Sequence, residues 1–247
     1  MRDLQHVPVV GRVAGLWRYP VKSMAGEALA VAEVSWHGFA GDRRWAFVRE
    51  DAPRSGFPWL TLRERADMNH YVPRLVDAAR PDNSDTRVRT PSGQEFDVID
   101  PALAALLYPS GARAIKQDRG IFDTFPLSLI TLQTIRELAR RAGIALGVER
   151  FRPNILVDAA ETAPFAEDAW VGRTLRIGEA EIRIDKRDGR CAVITIDPAT
   201  GERTPDVLGI VARERQGCLG VYGTTVTPGS IPIDAAIHIE PASPQRT

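Results

Sequence analysis

Strand-like runs recur through this chain at short, uneven intervals, and only three stretches carry helical periodicity. A doubly wound parallel sheet needs strands and helices in regular alternation. This order lacks it and predicts a mainly β, α+β protein of barrel-like antiparallel sheets with added helices. Residues 9–19 read as a first strand, interrupted by Gly11 and Gly15 and ended by Pro20. Strands are predicted next over 27–34, 44–48 and 59–62, and a hairpin over 86–98 turns about Pro91-Ser92-Gly93. Later strands fall at 155–157, 174–177, 182–185, 192–196, 220–226 and 231–239. One helix is predicted over 102–108, with Asp100 as cap and Pro101 at its first position. A second follows Thr131, with Leu132, Ile135, Leu138 and Ala139 on one face and Gly143 at its end. The third runs over 205–213, capped by Thr204. A division is expected at about residue 120, giving segments 1–120 and 121–247.

The 247 residues carry 44% hydrophobic and 26% charged side chains, the balance of a soluble globular protein of one large or two small domains. Formal net charge is zero, so no global field favours nucleic acid or an anionic membrane, and any anion site must be local. No apolar run reaches transmembrane length and the start has no signal-peptide core, which predicts a cytoplasmic protein with no membrane partner. Two cysteines, Cys191 and Cys218, make no disulfide framework and fit a reducing compartment. The four histidines, His6, His37, His70 and His238, are scattered, which argues against a zinc cluster.

Chemistry concentrates around Cys191. Ile182 and Ile184 alternate with Arg183 and Asp185, and the run 192–196 is almost wholly apolar. Between these predicted strands lies a short polar loop, 186–190, that delivers the thiol beside Arg187 and Arg190. Positive charge there favours thiolate, the nucleophilic and metal-binding form. A free cysteine is equally well a small buried hydrophobe.

Other polar groups sit where strands begin or end. Lys22 and Ser23 leave the first strand and suit a phosphate, with the ammonium as point charge and the hydroxyl as donor. Arg43, next to Asp42, can clamp an anion or make a strand-entry ion pair. Thr124 and Ser128 precede a helix whose free N–H groups suit an anion, or they belong to ordinary capping. Arg152-Pro153-Asn154 leads into a strand, and Asn154 offers both a donor and an acceptor to a heterocycle edge. Tyr222, between Gly220 and Gly223, either stacks and donates a hydrogen bond or packs in the core.

Taken in order, these motifs resemble a known family. The segment from Leu16 to Ser23, with Gly41-Asp42-Arg43-Arg44-Trp45, is similar to the N-terminal β-barrel domain of MOSC proteins. Phe151-Arg152-Pro153-Asn154, Glu167-Asp168-Ala169-Trp170 and Arg190-Cys191, followed by Asp197-Pro198 and Gly201, resemble the MOSC domain itself. The resemblance runs over roughly residues 9 to 240 and is nearest to the mitochondrial amidoxime-reducing component and its bacterial relatives.

That resemblance implies a β-barrel-like N-terminal domain followed by a MOSC β-barrel, and a molybdenum cofactor (Mo-molybdopterin) whose metal is held by Cys191. Thiolate ligation suits molybdenum. It implies cofactor-binding roles for Lys22, Ser23, Arg43, Thr124, Ser128, Arg152 and Asn154, and places Tyr222 near the metal as a catalytic residue beside Cys191. Asp185 or Asp188 is the acid under the cysteine loop, with Asp188-Gly189 departing from the usual family spacing. The implied activity is a molybdenum-dependent oxidoreductase that reduces N-hydroxylated or N-oxide small molecules. Its electrons would come from an external ferredoxin, flavodoxin or cytochrome b5 type protein, since no iron–sulfur extension is expected in this chain. Two rivals remain: a non-catalytic carrier of the cofactor, and a metal-free sulfur carrier using a Cys191 persulfide.

Overall fold

The computed structural model describes residues 8–52 and 54–240. The start read for a leader, with His6, lies outside the described residues. The chain opens with β1 (Val9–Arg18), β2 (Glu27–Ala28), β3 (Val31–Ser35), β4 (Gly38–Phe39) and β5 (Trp45–Arg49). The run expected as one strand over 27–34 is split at Leu29–Ala30, because β2 pairs with β1 while β3 turns away to pair with β15 (Gly229–Pro232), late in the chain. Then come β6 (Val72–Leu75), the predicted hairpin as β7 (Thr86–Arg89) and β8 (Glu95–Asp97), α1 (Pro101–Leu107) and β9 (Ala112–Lys116). The Asp100 side chain accepts from the Ala102 N–H, as its cap position requires. Residues 59–62 form no strand. Only Trp59 makes a β-bridge, to Val48, while Leu60 and Leu62 are sunk in the core.

The second half begins with β10 (Leu127–Thr131), α2 (Leu132–Ala142), β11 (Ile155–Ala159), β12 (Thr174–Ile177) and β13 (Ala180–Gly189). It continues with α3 (Pro205–Arg215), β14 (Cys218–Thr227) and β16 (Ala236–Ile239). Thr131 caps α2 through the Thr134 N–H, and Gly143 ends it at φ +65°. Thr204 precedes α3 without a capping hydrogen bond.

Seven strands close into a barrel in the order β11-β10-β14-β13-β12-β16-β1 and back to β11. The N-terminal strand β1 is therefore a stave of a barrel otherwise built from residues beyond 126, across the expected division at residue 120. All these pairs are antiparallel except β10–β11, where α2 serves as the crossover. The barrel interior is filled by alternate residues, among them Val13, Leu129, Val157, Leu175, Ile182, Ile184 and Val221. Outside it, α2 and α3 cover Ile130, Leu156 and Leu219. A separate core, around Val21, Phe47, Leu60, Met68 and Leu103, holds the N-terminal sheets together.

The apolar run 192–196, expected as a buried strand, is a 3-10 turn over Ala192–Thr195. It is apolar because it wedges between two cores: Ile194 joins the helix-covered cluster and Ile196 the N-terminal one. The carbonyls that a sheet would have paired are met instead by the buried Arg150, which donates to Ile194 O and Thr195 O and pairs with Asp197 at 2.8 Å.

Candidate functional site

Cys191 stands where β13 ends and the 3-10 turn begins, half-buried. Of the two arginines expected beside the thiol, Arg190 lines the same cavity, but both guanidinium groups are engaged elsewhere. Arg187 bonds Arg215 O and Gln216 and pairs with Asp168, away from the thiol. Arg190 is drawn to open carbonyls, donating to Leu219 O at 2.7 Å and Phe151 O at 2.9 Å, and lies 3.0 Å from Asp188. The cation at the sulfur is Arg63, from the N-terminal half, with Nη2 3.4 Å from Sγ. Between Asp185 and Asp188, the acid under the loop is Asp188. It is 1% exposed and takes a hydrogen bond from Ser128 Oγ at 3.1 Å. Asp185 instead pairs with Arg183 and Thr224. A register shift between Arg187 and Gly189 breaks the ladder at this point.

Facing this wall is a cationic one. Lys22 is buried, donates to Ile121 O at 3.1 Å and pairs with Asp123. Burial pushes its pKa below the ordinary lysine value, against the pull of Asp123. Asp42 has no exposed surface and gathers the Tyr19 N–H at 2.7 Å, the Asn154 Nδ2 at 3.1 Å and Arg43. The guanidinium groups of Arg43 and Arg152 stack on the Tyr19 ring, 4.6 and 4.3 Å from its centroid. Burial lowers the Arg152 pKa to about 10. Six non-glycine residues have positive φ among the described residues, and three of them, Ser23, Arg43 and Arg152, line this site. Backbone strain of that kind persists where the surroundings enforce it, and it clusters at ligand sites.

Asn154 is fully used within the protein. Its amide donates to Trp17 O and Asp42, and its oxygen accepts from the Ser128 N–H and Arg43. It therefore locks the N-terminal turn to β10 rather than offering a free edge to a ligand. Tyr222 stacks on Phe125, with centroids 5.9 Å apart. Burial and the negative charge of Asp188 both raise its hydroxyl pKa.

Lys22, Ser23, Arg43, Thr124, Ser128, Arg152, Asn154, Cys191 and Tyr222 all line one cavity of about 380 Å³ between the two halves. That is within the range of small-molecule sites. Sequence reasoning missed Arg63, Phe57 and Asp123 in the same wall. A faint signal existed at Thr61-x-x-Glu64: Glu64 takes both the Thr61 N–H and hydroxyl, a box that turns the chain at Arg63. A single soft sulfur in a cavity lined by six cations (Lys22, Arg43, Arg63, Arg150, Arg152 and Arg190) suits a phosphate-bearing group with a thiolate-ligated metal. No cluster of three or more His, Cys, Asp or Glu side chains forms a metal site of its own among the described residues.

A closed barrel with a lone thiol at the seam of a second, β-rich half defines a two-part β protein with a cation-lined cavity between its parts. Comparison with known sequences says which: the MOSC N-terminal beta barrel domain matches residues 10–100 and the MOSC domain residues 116–238, and the chain belongs to the MOSC-domain proteins. It is 26% identical over 250 residues to mitochondrial amidoxime reducing component 2 of Rattus norvegicus, covering 81% of this chain and 70% of that protein. It is 25% identical over 253 residues to the molybdenum cofactor sulfurase of Drosophila mojavensis, covering 85% of this chain. It spans only 31% of that sulfurase's length. The YUAD protein from Bacillus subtilis superposes with a TM-score of 0.52 over 93% of this chain and 95% of that one, at 13% identity, which supports the fold alone.

Proposed function

We propose that this protein holds a molybdenum cofactor in the cavity at its seam and reduces N-hydroxylated or N-oxide small molecules. The observation that carries the proposal is the single cavity into which Cys191 and the cations Lys22, Arg43 and Arg152 converge from both halves of the chain. In this reading Cys191 ligates the metal, and Lys22, Ser23 and Arg43 hold the phosphate. Arg152 and Ser128 border the pterin, and Thr124 stands at the exposed rim. Asn154 and Asp42 set the position of Arg43 through the hydrogen bonds described above. When bound, the molybdenum centre supplies two-electron oxygen-atom transfer. The stacked rings of Phe125 and Tyr222, and Phe57 beside Lys22 and Arg63, give the cavity its apolar surface. Electrons would come from a ferredoxin, flavodoxin or cytochrome b5 type protein, in a reducing cytoplasmic compartment. No helix among the described residues is long and apolar enough to cross a membrane.

The sulfurase relatives favour a second reading, a carrier that passes on the cofactor or its sulfur without reducing a substrate. Protein expressed in a host that makes the cofactor separates the two. About one molybdenum per chain, with amidoxime reduction driven by a low-potential donor and lost in Cys191→Ser, supports the reductase. Molybdenum without turnover supports the carrier. Sulfane sulfur on Cys191 without molybdenum supports persulfide transfer.

A further inference from the structure

Two acids line the cavity, and they differ. Asp123 is half-exposed and paired with Lys22 and Arg63. Asp188 is sealed at the inner wall. Its Oδ2 is engaged by Ser128 and Arg190, while its Oδ1 is buried without a hydrogen-bond partner. An ionised carboxylate with an unmet buried oxygen is costly, and protonation relieves that cost. Tyr222 is the cross-strand partner of Ser128, which holds this carboxyl, its hydroxyl acts on the carboxyl's charge, and both residues line the cavity. No histidine lines it.

Reducing an N–OH bond consumes protons: R2N–OH + 2e⁻ + 2H⁺ gives R2NH + H2O. The oxygen taken from nitrogen ends as water, so a proton must reach it inside the cavity. We propose that Asp188 and Tyr222 form a proton relay into the cavity. The Tyr222 hydroxyl gives its proton to the oxygen that becomes water and takes the carboxyl proton of Asp188, which is refilled from water. One proton of the two follows this route, and the second comes directly from water. Both electrons come from the electron-transfer protein named above. The relay rests on the reductase reading.

Two cations face Asp188, Arg190 at 3.0 Å and Arg43 across the cavity, and both favour its ionised form. The Ser128 hydrogen bond and the nearby Tyr222 hydroxyl act in the same direction. Burial outweighs them and raises the carboxyl pKa above the ordinary aspartate value. Asp188 is thus set apart from Asp123, whose pKa is lowered by Lys22 and Arg63 against burial.

The test has one arm that needs no cofactor. Infrared difference spectra of the metal-free protein, titrated from acid to neutral pH, should show the C=O stretch of a protonated carboxyl persisting above the ordinary aspartate range. Glu167, buried behind α2, contributes a band of its own; the Asp188 component should vanish in Asp188→Asn and remain in Tyr222→Phe. In the loaded protein, both variants should keep the wild-type molybdenum content and lose roughly 100-fold in turnover, with the solvent isotope effect reduced. Asp188→Glu should recover part of it. No band component above the ordinary aspartate range that is lost in Asp188→Asn, or wild-type turnover in fully loaded Asp188→Asn, overturns the relay. A wild-type protein with no molybdenum or no reductase activity overturns the underlying reading instead, and the relay with it.

Discussion

Arg63 Nη2 stands 3.4 Å from Cys191 Sγ across 128 residues of sequence. The same guanidinium lies over Phe57 at 5.0 Å and reaches Asp123 at 3.4 Å. Its backbone is held from the other half: Arg203 donates to Leu62 O at 3.3 Å and Arg63 O at 3.2 Å. The N-terminal half thus supplies the sulfur's cationic neighbour, and the C-terminal half pins the segment that presents it.

Removing that contact should loosen whatever Cys191 holds. A hydrogen bond to a charged group is worth about 1.5–3 kcal/mol. Arg63→Ala should therefore retain molybdenum roughly 10- to 100-fold more weakly, with circular dichroism unchanged. Arg63→Lys keeps the charge without the fork and should fall between the two. Metal content after gel filtration against a chelator measures it. Wild-type retention in Arg63→Ala would remove Arg63 from the site.

Asp42 is the acceptor on which the cationic wall is built. Truncating one partner of a buried pair costs about 3–5 kcal/mol, since the other charge is left unpaired. Asp42→Ala strips acceptors from Arg43, the Tyr19 N–H and Asn154 together. The urea midpoint should fall by that amount divided by the m-value, and Asp42→Asn should lose less. A change below about 1 kcal/mol would mean that Arg43 and Asn154 re-pair without it.

Periodicity made much of the barrel legible, and long-range packing hid the rest. Ile182 and Ile184 point inward as their alternation requires, and the capping signals at Asp100, Thr131 and Gly143 all operate. β10 escaped because all five of its residues are buried, so it has no alternation and runs straight into the helix after it. β6 carries Pro73 and β9 carries Arg113 and Lys116, weak strand signals satisfied only by partners elsewhere. The run 192–196 has a strand's composition because it serves two cores at once. In the site, residues beside turn motifs were visible, whereas Arg63 lies next to the thiol only through folding.

Glu167 tests the electrostatics of the barrel's outer layer. It has no exposed surface and accepts from the Thr131 and Thr134 hydroxyls at 2.9 Å each. Burial raises its pKa above the ordinary glutamate value despite those bonds. The folded state therefore holds a proton that the unfolded chain releases, so stability falls as pH rises from about 4.5 through the folded pKa, then levels. Glu167→Gln should abolish that slope, so that wild type compares best with the variant below pH 4.5 and worst at neutral pH. Parallel urea titrations across that range measure the difference. A constant difference would show that the folded pKa is not raised.

Gly220 links the backbone to the cavity. It sits at φ +76° in β14, where a Cβ would come 2.6 Å from Leu129 O and 3.2 Å from Arg190 Nη2. Left-handed backbone costs a non-glycine residue about 1–2 kcal/mol, and the carbonyl contact adds to that because neither strand can yield without shifting the ladder. That ladder pairs Ser128 with Tyr222, so a shift reaches the two side chains that face Asp188. Gly220→Ala should lower stability by at least about 1–2 kcal/mol and also weaken molybdenum retention. Gly217, at φ +75° with open space around its Cβ, is the control. Gly217→Ala should pay only the conformational cost and leave retention unchanged. Equal effects of the two substitutions on retention would show that the close approach of β14 to β10 does not shape the cavity.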